Sequence, residues 1–114
     1  MSKYYLVTLR NGGSYDARDL RSNGIALASL HSLIAPGRLE FLARPTQPLG
    51  GGLGNFRSMT GITTEIDVID PAGGRCTLSG RVISVTARPR RRAPVPPEPP
   101  EENVAFYYQS IVKN

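Results

Sequence analysis

The side chains whose spacing best suits catalysis or metal binding are a group of acids, a histidine and a cysteine. Glu65 and Asp67 lie two residues apart and Asp70 follows, so their oxygens are candidate ligands for a hard cation. A solvated strand face explains the same spacing, because residues two apart share one face. His31 lies in an apolar stretch without a neighbouring metal-ligand motif, and Cys76 has no CxxC partner. We therefore expect no catalytic site, bound metal or cofactor, and we interpret Cys76 as a small buried hydrophobic residue.

A glycine-rich stretch at residues 49–55, Leu-Gly-Gly-Gly-Leu-Gly-Asn, is the second candidate for chemistry. Backbone amides of such loops can bind phosphate at the start of a helix. Here the Gly-Lys-Ser/Thr ending of a phosphate-binding loop is missing, and no helical pattern follows. The stretch therefore predicts a surface loop.

Size and composition restrict the class of protein. The chain has 114 residues, 39% of them hydrophobic, which is enough for one domain with one core. One cysteine cannot form an internal disulfide, and no apolar stretch reaches the roughly 18 residues that a membrane helix requires. We expect a protein that is made in the cytoplasm and does not enter a membrane.

The charge is basic and unevenly distributed. The net charge is +5, and 12 of the 14 basic residues are arginine, which suits carboxylates, phosphates and protein interfaces. Residues 1–92 carry 13 basic and 6 acidic groups, whereas residues 93–114 carry 1 basic and 3 acidic groups. A basic body with an acidic tail favours docking between copies, and it equally favours a tail that folds back on its own body.

Alternating apolar and polar residues predict strands at 3–10, 38–44, 62–69, 76–87 and 104–112. The third and fourth form a hairpin, with Gly80 marking a bulge. Residues 14–23 are polar and fit a short strand or a loop.

Residues 25–34 carry leucines at helical spacing, so we predict a helix there, with a strand pair bent near Ser29 as the alternative. These elements predict a mainly β protein, a small single-domain β-sandwich or barrel with at most one short helix and an extended Pro-rich C-terminal arm.

The Arg- and Pro-rich segment at residues 88–102 is the most unusual feature of the sequence. It contains six of the ten prolines, which fix φ, remove amide donors and favour the polyproline II conformation. At about 3.1 Å per residue, twelve such residues span roughly 35 to 40 Å. The sequence therefore divides into a β-rich body at 1–87, an extended arm at 88–102 and a terminal strand at 103–114.

The terminal strand is too apolar for an exposed tail, so something must cover it. It either completes its own sheet or adds to the sheet edge of a neighbouring subunit. For the second case we predict an arginine cluster that guides docking and four apolar anchors that bind the partner. These residues are Arg88, Arg90, Arg91, Arg92, Phe106, Tyr107, Tyr108 and Ile111.

The leading functional hypothesis is a non-enzymatic structural protein that docks on neighbours, either other copies of itself or other structural proteins. By analogy, the predicted setting is a phage particle, as a head decoration or cement subunit or as a tail, neck or baseplate component. The alternative is a nucleic-acid-binding β-barrel module, in which Tyr4, Tyr15 or Phe56 stacks on bases beside arginines.

Overall fold

The computed structural model of this chain describes residues 4–46, 56–87 and 101–114. The glycine-rich stretch at residues 49–55, which was predicted to be a surface loop, and most of the arm, including the four arginines at 88 and 90–92, lie outside these ranges. The described residues form seven strands and two single turns of 3₁₀ helix. The strands are β1 (Tyr5–Leu9), β2 (Ser14–Ser22), β3 (Ile25–Ala26), β4 (Gly37–Pro45), β5 (Thr63–Ile69), β6 (Arg75–Ala87) and β7 (Glu102–Lys113), and the turns are Leu30–Ser32 and Arg57–Met59.

Six of the strands close into a barrel. Their order is β1-β5-β6-β7-β4-β2, β2 pairs back with β1 to close the ring, and β3 adds to the outer side of β2. Every pairing is antiparallel. The mainly β prediction is confirmed, and of its two architectures the structure is the barrel. Closure removes most of the strand edges that an open sheet would leave exposed.

Residues that alternate along the strands fill the barrel. Val7 and Leu9 of β1 point inward, as the sequence pattern predicts, and Phe56 closes one end. The ring of Phe56 lies 4.6 Å from that of Tyr15 between ring centroids, and its backbone N–H donates to the Tyr15 hydroxyl over 3.0 Å. Other fully buried core residues are Leu33, Leu39, Ile66, Val68, Leu78, Val82, Phe106 and Tyr108.

The predicted β5–β6 hairpin is confirmed, and so is the irregularity at Gly80. The β6–β7 ladder shifts register between Ser79 and Gly80. A Cβ atom on Gly80 would lie 2.6 Å from the Tyr108 Cα, so no side chain fits at this crossing. Gly80 therefore allows the two longest strands to approach each other.

The helix predicted at residues 25–34 is wrong. Asn23 and Gly24 adopt positive φ angles of 52° and 82°, which reverse the chain into the short strand β3. The Leu27 N–H then donates to the Leu20 carbonyl over 2.8 Å. Leu30 lies in a single 3₁₀ turn and is buried. Extended residues and one tight turn are therefore enough to bury Leu30 and Leu33, and no helix forms.

The terminal strand belongs to its own barrel, which corrects the expectation that another molecule shelters it. β7 lies between β4 and β6, and its ladder with β6 runs from Ala87 opposite Glu102 to Cys76 opposite Lys113. These pairings satisfy its backbone and cover its inward side chains. Since Ala87 and Glu102 are ladder partners, the Arg- and Pro-rich segment connects two adjacent strand ends of the same chain.

Candidate interaction surfaces

The acidic residues suggested as cation ligands are engaged by basic and hydroxyl side chains. Arg10 forms salt bridges of 2.8 Å to Glu65 and 3.3 Å to Asp67. Asp67 also accepts a hydrogen bond of 2.7 Å from Thr77 Oγ1 and lies 3.9 Å from an Arg75 nitrogen. We call these five residues the Asp67 network. It joins β1, β5 and β6 on the outside of the barrel, which makes its role structural.

The remaining candidates for chemistry also have structural surroundings. Asp70 Oδ1 accepts the Ala72 N–H over 2.7 Å and so stabilises the β5–β6 turn. His31 is exposed. Cys76 is completely buried, as predicted, and burial raises the pKa of its thiol to about 11. Across the described ranges, no group of three His, Cys, Asp or Glu side chains is placed to hold a metal ion.

The predicted partner-binding residues of β7 have different surroundings. Phe106 and Tyr108 point inward and have no exposed surface, and the Tyr108 hydroxyl donates to the Ile34 carbonyl over 3.1 Å. Ile111 packs partly buried against the core. Tyr107 points outward and keeps 39% of its surface exposed. Of the four, Tyr107 therefore presents the most usable surface to a partner.

The first candidate surface is the open edge of β6. The β5 ladder with β6 ends at Thr63 opposite Arg81, but the β7 ladder continues to Ala87. Among the described residues, none forms a strand pairing with the other side of residues 83–87. An unpaired row of backbone N–H and C=O groups is a template for strand addition.

The backbone geometry of this edge follows from its neighbours. Val82 exchanges backbone hydrogen bonds with Gly61 and Ile62 on the β5 side. Ile83 is then the extra residue of a bulge, because the β7 ladder skips it. Beyond this bulge, backbone groups again point alternately to the two sides of the strand. The N–H and C=O groups of Val85 and Ala87 therefore face the open edge. Residues 83–87 read Ile-Ser-Val-Thr-Ala and carry no charge, and Ile83 is 40% exposed.

The second candidate surface is a row of three side chains on the outside of the barrel. Tyr107 of β7 lies opposite Arg38 of β4 on one side and opposite Arg81 of β6 on the other. Directly opposed Cβ atoms in such ladders are about 4.5 to 5.5 Å apart. We call these residues the Tyr107 row. The register places an exposed tyrosine between two arginines of the neighbouring strands.

A shallow trough of about 330 Å³ continues from this row across β7. Its outward side chains are short because Ala105 and Asn103 of β7 lie opposite Ser84 and Thr86 of β6. A second hollow of about 290 Å³ lies on the β2 side, where Arg21 is part of its lining. The trough therefore offers amide and hydroxyl groups beside the Tyr107 row.

Other arginines of this outer surface already have partners. Arg18 donates to both carboxylate oxygens of Glu101, with a shortest distance of 2.9 Å. The Arg44 guanidinium lies 5.9 Å from the centre of the Tyr4 ring, within cation–π range. These contacts reduce the number of arginines that are free to bind a partner.

An inward-facing acid lies where β7 begins. Glu102 is only 7% exposed, and burial raises the pKa of its carboxyl, while the positive charge of Arg57 partly offsets that shift. Docking of the basic body of one copy on the acidic tail of another loses support at two acids of that tail, because Glu101 binds Arg18 and Glu102 is buried.

Sequence reasoning identified Tyr107 but missed Arg38 and Arg81. Their significance depends on ladder register, which the local pattern does not reveal. The open edge did leave a signal, because residues 82–87 form an uncharged run between Arg81 and Arg88.

Comparison with known proteins gives no relative. No protein-family model matches this chain, and neither curated proteins nor solved structures provide a match. Within the described part of the chain, no helix has the length and apolar character needed to span a membrane. The proposals below therefore depend on the geometry of the barrel.

Proposed function

We propose that this protein is a non-enzymatic structural subunit whose copies join through the open edge of β6. The observation that carries the proposal is the continuation of β6 to Ala87 after its pairing with β5 ends at Arg81. Among the described residues, β7 also continues to Lys113 after its pairing with β4 ends at Tyr108, but residues 83–87 are the uncharged one of these two edges and offer backbone hydrogen-bonding groups to a neighbour.

The side chains of the edge are complementary to those of a second copy. In an antiparallel pair centred on Val85, Ser84 of one copy lies opposite Thr86 of the other, and the two Val85 side chains lie opposite each other. Ile83 then faces Ala87. Hydroxyl groups meet hydroxyl groups and apolar groups meet apolar groups, an arrangement that stabilises cross-strand pairs. The result is a two-fold interface in which both copies use the same residues.

The centre of this interface is uncharged, but positive charges at its two ends affect how strongly the copies associate. Each copy has a net charge of +5, and Arg81 and Arg88 flank the uncharged segment. Like charges at the flanks oppose association, and salt screens them. We therefore expect association to strengthen as the salt concentration rises.

A phage particle is the setting that we propose for such a subunit, as a head decoration or cement protein or as a tail, neck or baseplate component. The support is an analogy with small subunits that combine a compact body with an extended segment. The sequence-based prediction that Arg88, Arg90, Arg91 and Arg92 guide docking is kept for other structural proteins only, because between two copies these like charges repel. Phe106 and Tyr108 are not used, because they lie in the core.

The test is to block the edge and measure the mass of the particle in solution. Ile83→Lys places a charge on the exposed edge, a device that natural edge strands use against pairing. Ile34→Lys is the matched control, because Ile34 is 72% exposed and lies outside the strands. Light scattering over a range of protein concentrations should give twice the chain mass of 12.4 kDa for the wild type and for Ile34→Lys, and the single-chain mass for Ile83→Lys.

A second variant separates backbone pairing from charge. Ala87→Pro removes an edge-facing N–H without altering the net charge, and it should also give monomers. A wild-type chain that stays monomeric at high salt and high concentration would refute self-association. So would a dimer that survives both edge variants.

The nucleic-acid alternative, as the sequence suggested it, loses two of its three stacking residues. Tyr15 and Phe56 have no exposed surface, whereas Tyr4 is 37% exposed and lies under Arg44. A barrel that stacks bases on Tyr15 or Phe56 is therefore not proposed.

A further inference from the structure

We infer that the Tyr107 row and the trough beside it form a binding site for single-stranded nucleic acid. This site shares Ser84 and Thr86 with the open edge of β6, but it needs no second copy and uses none of the three stacking residues suggested by the sequence. It lies on the outer face of β4, β7 and β6, where ladder pairing brings together side chains that are far apart in the chain.

The row has the two components that sequence-tolerant binding of single strands needs. Tyr107 supplies an exposed aromatic ring, on which a base can stack. Arg38 and Arg81 supply planar guanidinium groups that bind phosphate oxygens through paired hydrogen bonds. Arg38 and Arg81 lie on the two strands that flank Tyr107, and the exposed Arg81 side chain extends toward Gly61 on the β5 side. Both long side chains can reorient toward the phosphates of a strand that stacks on Tyr107.

Both guanidinium groups are available to a ligand. Arg81 forms no salt bridge with any other described residue, and Arg38 lies 3.7 Å from Glu40, a loose pair in which both side chains are about half exposed. Exposed pairs of this kind contribute little, so a phosphate can replace the carboxylate at small cost. By contrast, Arg18 and Arg10 form salt bridges shorter than 3 Å and are less available.

The trough favours a nucleic acid over an acidic polypeptide. Its lining includes Ser84, Thr86 and Asn103, which offer uncharged donors and acceptors to the edges of bases, and it also includes the carboxylate of Glu40, which opposes any anionic ligand. An acidic polypeptide would use the two arginines and could hydrogen-bond these groups, but its carboxylate side chains offer no aromatic face to stack on the Tyr107 ring. The volume of about 330 Å³ extends from the row, so a base beside the stacked one meets polar groups.

The experiment measures binding of a fluorescently labelled oligothymidylate of about twelve nucleotides to the full chain by anisotropy, at about 50 mM and 200 mM salt. Tyr107→Leu should weaken binding at least about fivefold through loss of stacking. Tyr107→Phe should bind like the wild type, because the ring is retained. Arg81→Gln should weaken binding and reduce the salt slope by about one.

Arg75→Gln is the matched control for charge, because Arg75 has 54% side-chain exposure and belongs to the Asp67 network. It should leave affinity much closer to wild type than Arg81→Gln does. The arginines within residues 88–92 are present in every variant, so a difference in affinity between Arg75→Gln and Arg81→Gln does not come from them.

Three results would overturn the inference. One is an absence of binding at about 50 mM salt. Another is equal affinity of Tyr107→Leu and the wild type. The third is competition by poly-glutamate as effective as that by unlabelled oligonucleotide, which would identify an acidic protein as the partner. Circular dichroism of each variant confirms that a loss of binding is not a loss of folding.

Discussion

Strand β6 takes part in two outer surfaces of the barrel that use arginine differently. In the Asp67 network, Arg10 is fixed by carboxylates at 2.8 and 3.3 Å. In the Tyr107 row, Arg38 and Arg81 lie beside a tyrosine, and the nearest carboxylate, Glu40, is 3.7 Å from Arg38. The distance and burial of the nearby carboxylates therefore distinguish an arginine that stabilises the fold from one that is available for binding.

The largest expected effect comes from breaking the Asp67 network. Asp67→Ala removes an acceptor that binds Thr77 and lies beside Arg10 and Arg75, and Asp67 is 8% exposed. The free energy of unfolding should fall by about 1 to 3 kcal/mol, measured by urea denaturation. Glu40→Ala on the other face should change it by no more than about 0.5 kcal/mol. Equal losses in the two variants would contradict the comparison.

A smaller effect concerns the pH dependence of stability. Because burial raises the pKa of Glu102, the folded state binds its proton more tightly than the unfolded state does. The stability that this carboxyl contributes is complete below its ordinary pKa of 4.5 and is lost as the pH rises through the higher pKa of the folded state. Glu102→Gln should remove that decline. The test is to measure the melting temperatures of the wild type and of Glu102→Gln from about pH 4 to pH 8. If the melting temperature changes with pH in the same way for both proteins, Glu102 does not cause the decline in stability.

The smallest expected effect concerns the affinity of the Tyr107 row for single-stranded nucleic acid. Glu40→Gln frees Arg38 from its loose partner and removes one negative charge near the trough. Affinity for the labelled oligothymidylate should rise by a few-fold at low salt, with little change at high salt. Glu65→Gln, which alters the Asp67 network instead, should leave that affinity nearly unchanged. A rise of the same size in both variants would mean that net charge alone governs binding.

Local patterns predicted much of the fold. Alternation at residues 62–69 and 76–87 was enough to predict the β5–β6 hairpin, because it depends on neighbouring residues. The position of Gly80 indicated a bulge, but only the structure shows that it lies in the ladder of β6 with the distant strand β7. Residues 25–34 were predicted wrongly, because leucines three residues apart fit a helix as well as a turn. The dipeptide Asn23-Gly24 does signal a two-residue hairpin turn with positive φ angles, but the prediction followed the leucine spacing instead.

The candidate sites were harder to predict because they depend on long-range pairing. Tyr107 was chosen for its apolar ring, but only the ladders of β7 with β4 and β6 place Arg38 and Arg81 beside it. The same ladders bury Phe106 and Tyr108, whose composition looked equally suitable for a partner. The apolar composition indicated that another element must cover β7. Only the topology shows that β4 and β6 of the same chain pair with it.

Because Ala87 pairs with Glu102, the chain should accept insertions in the segment that connects them. The Arg- and Pro-rich stretch begins and ends at neighbouring points on one rim of the barrel, so lengthening it does not pull the rim apart. Closing a longer connection costs little, since the entropy grows only with the logarithm of its length. Evolution or an engineer can therefore insert a foreign peptide there and display it beside the exposed edge of β6, while the barrel keeps its pairing.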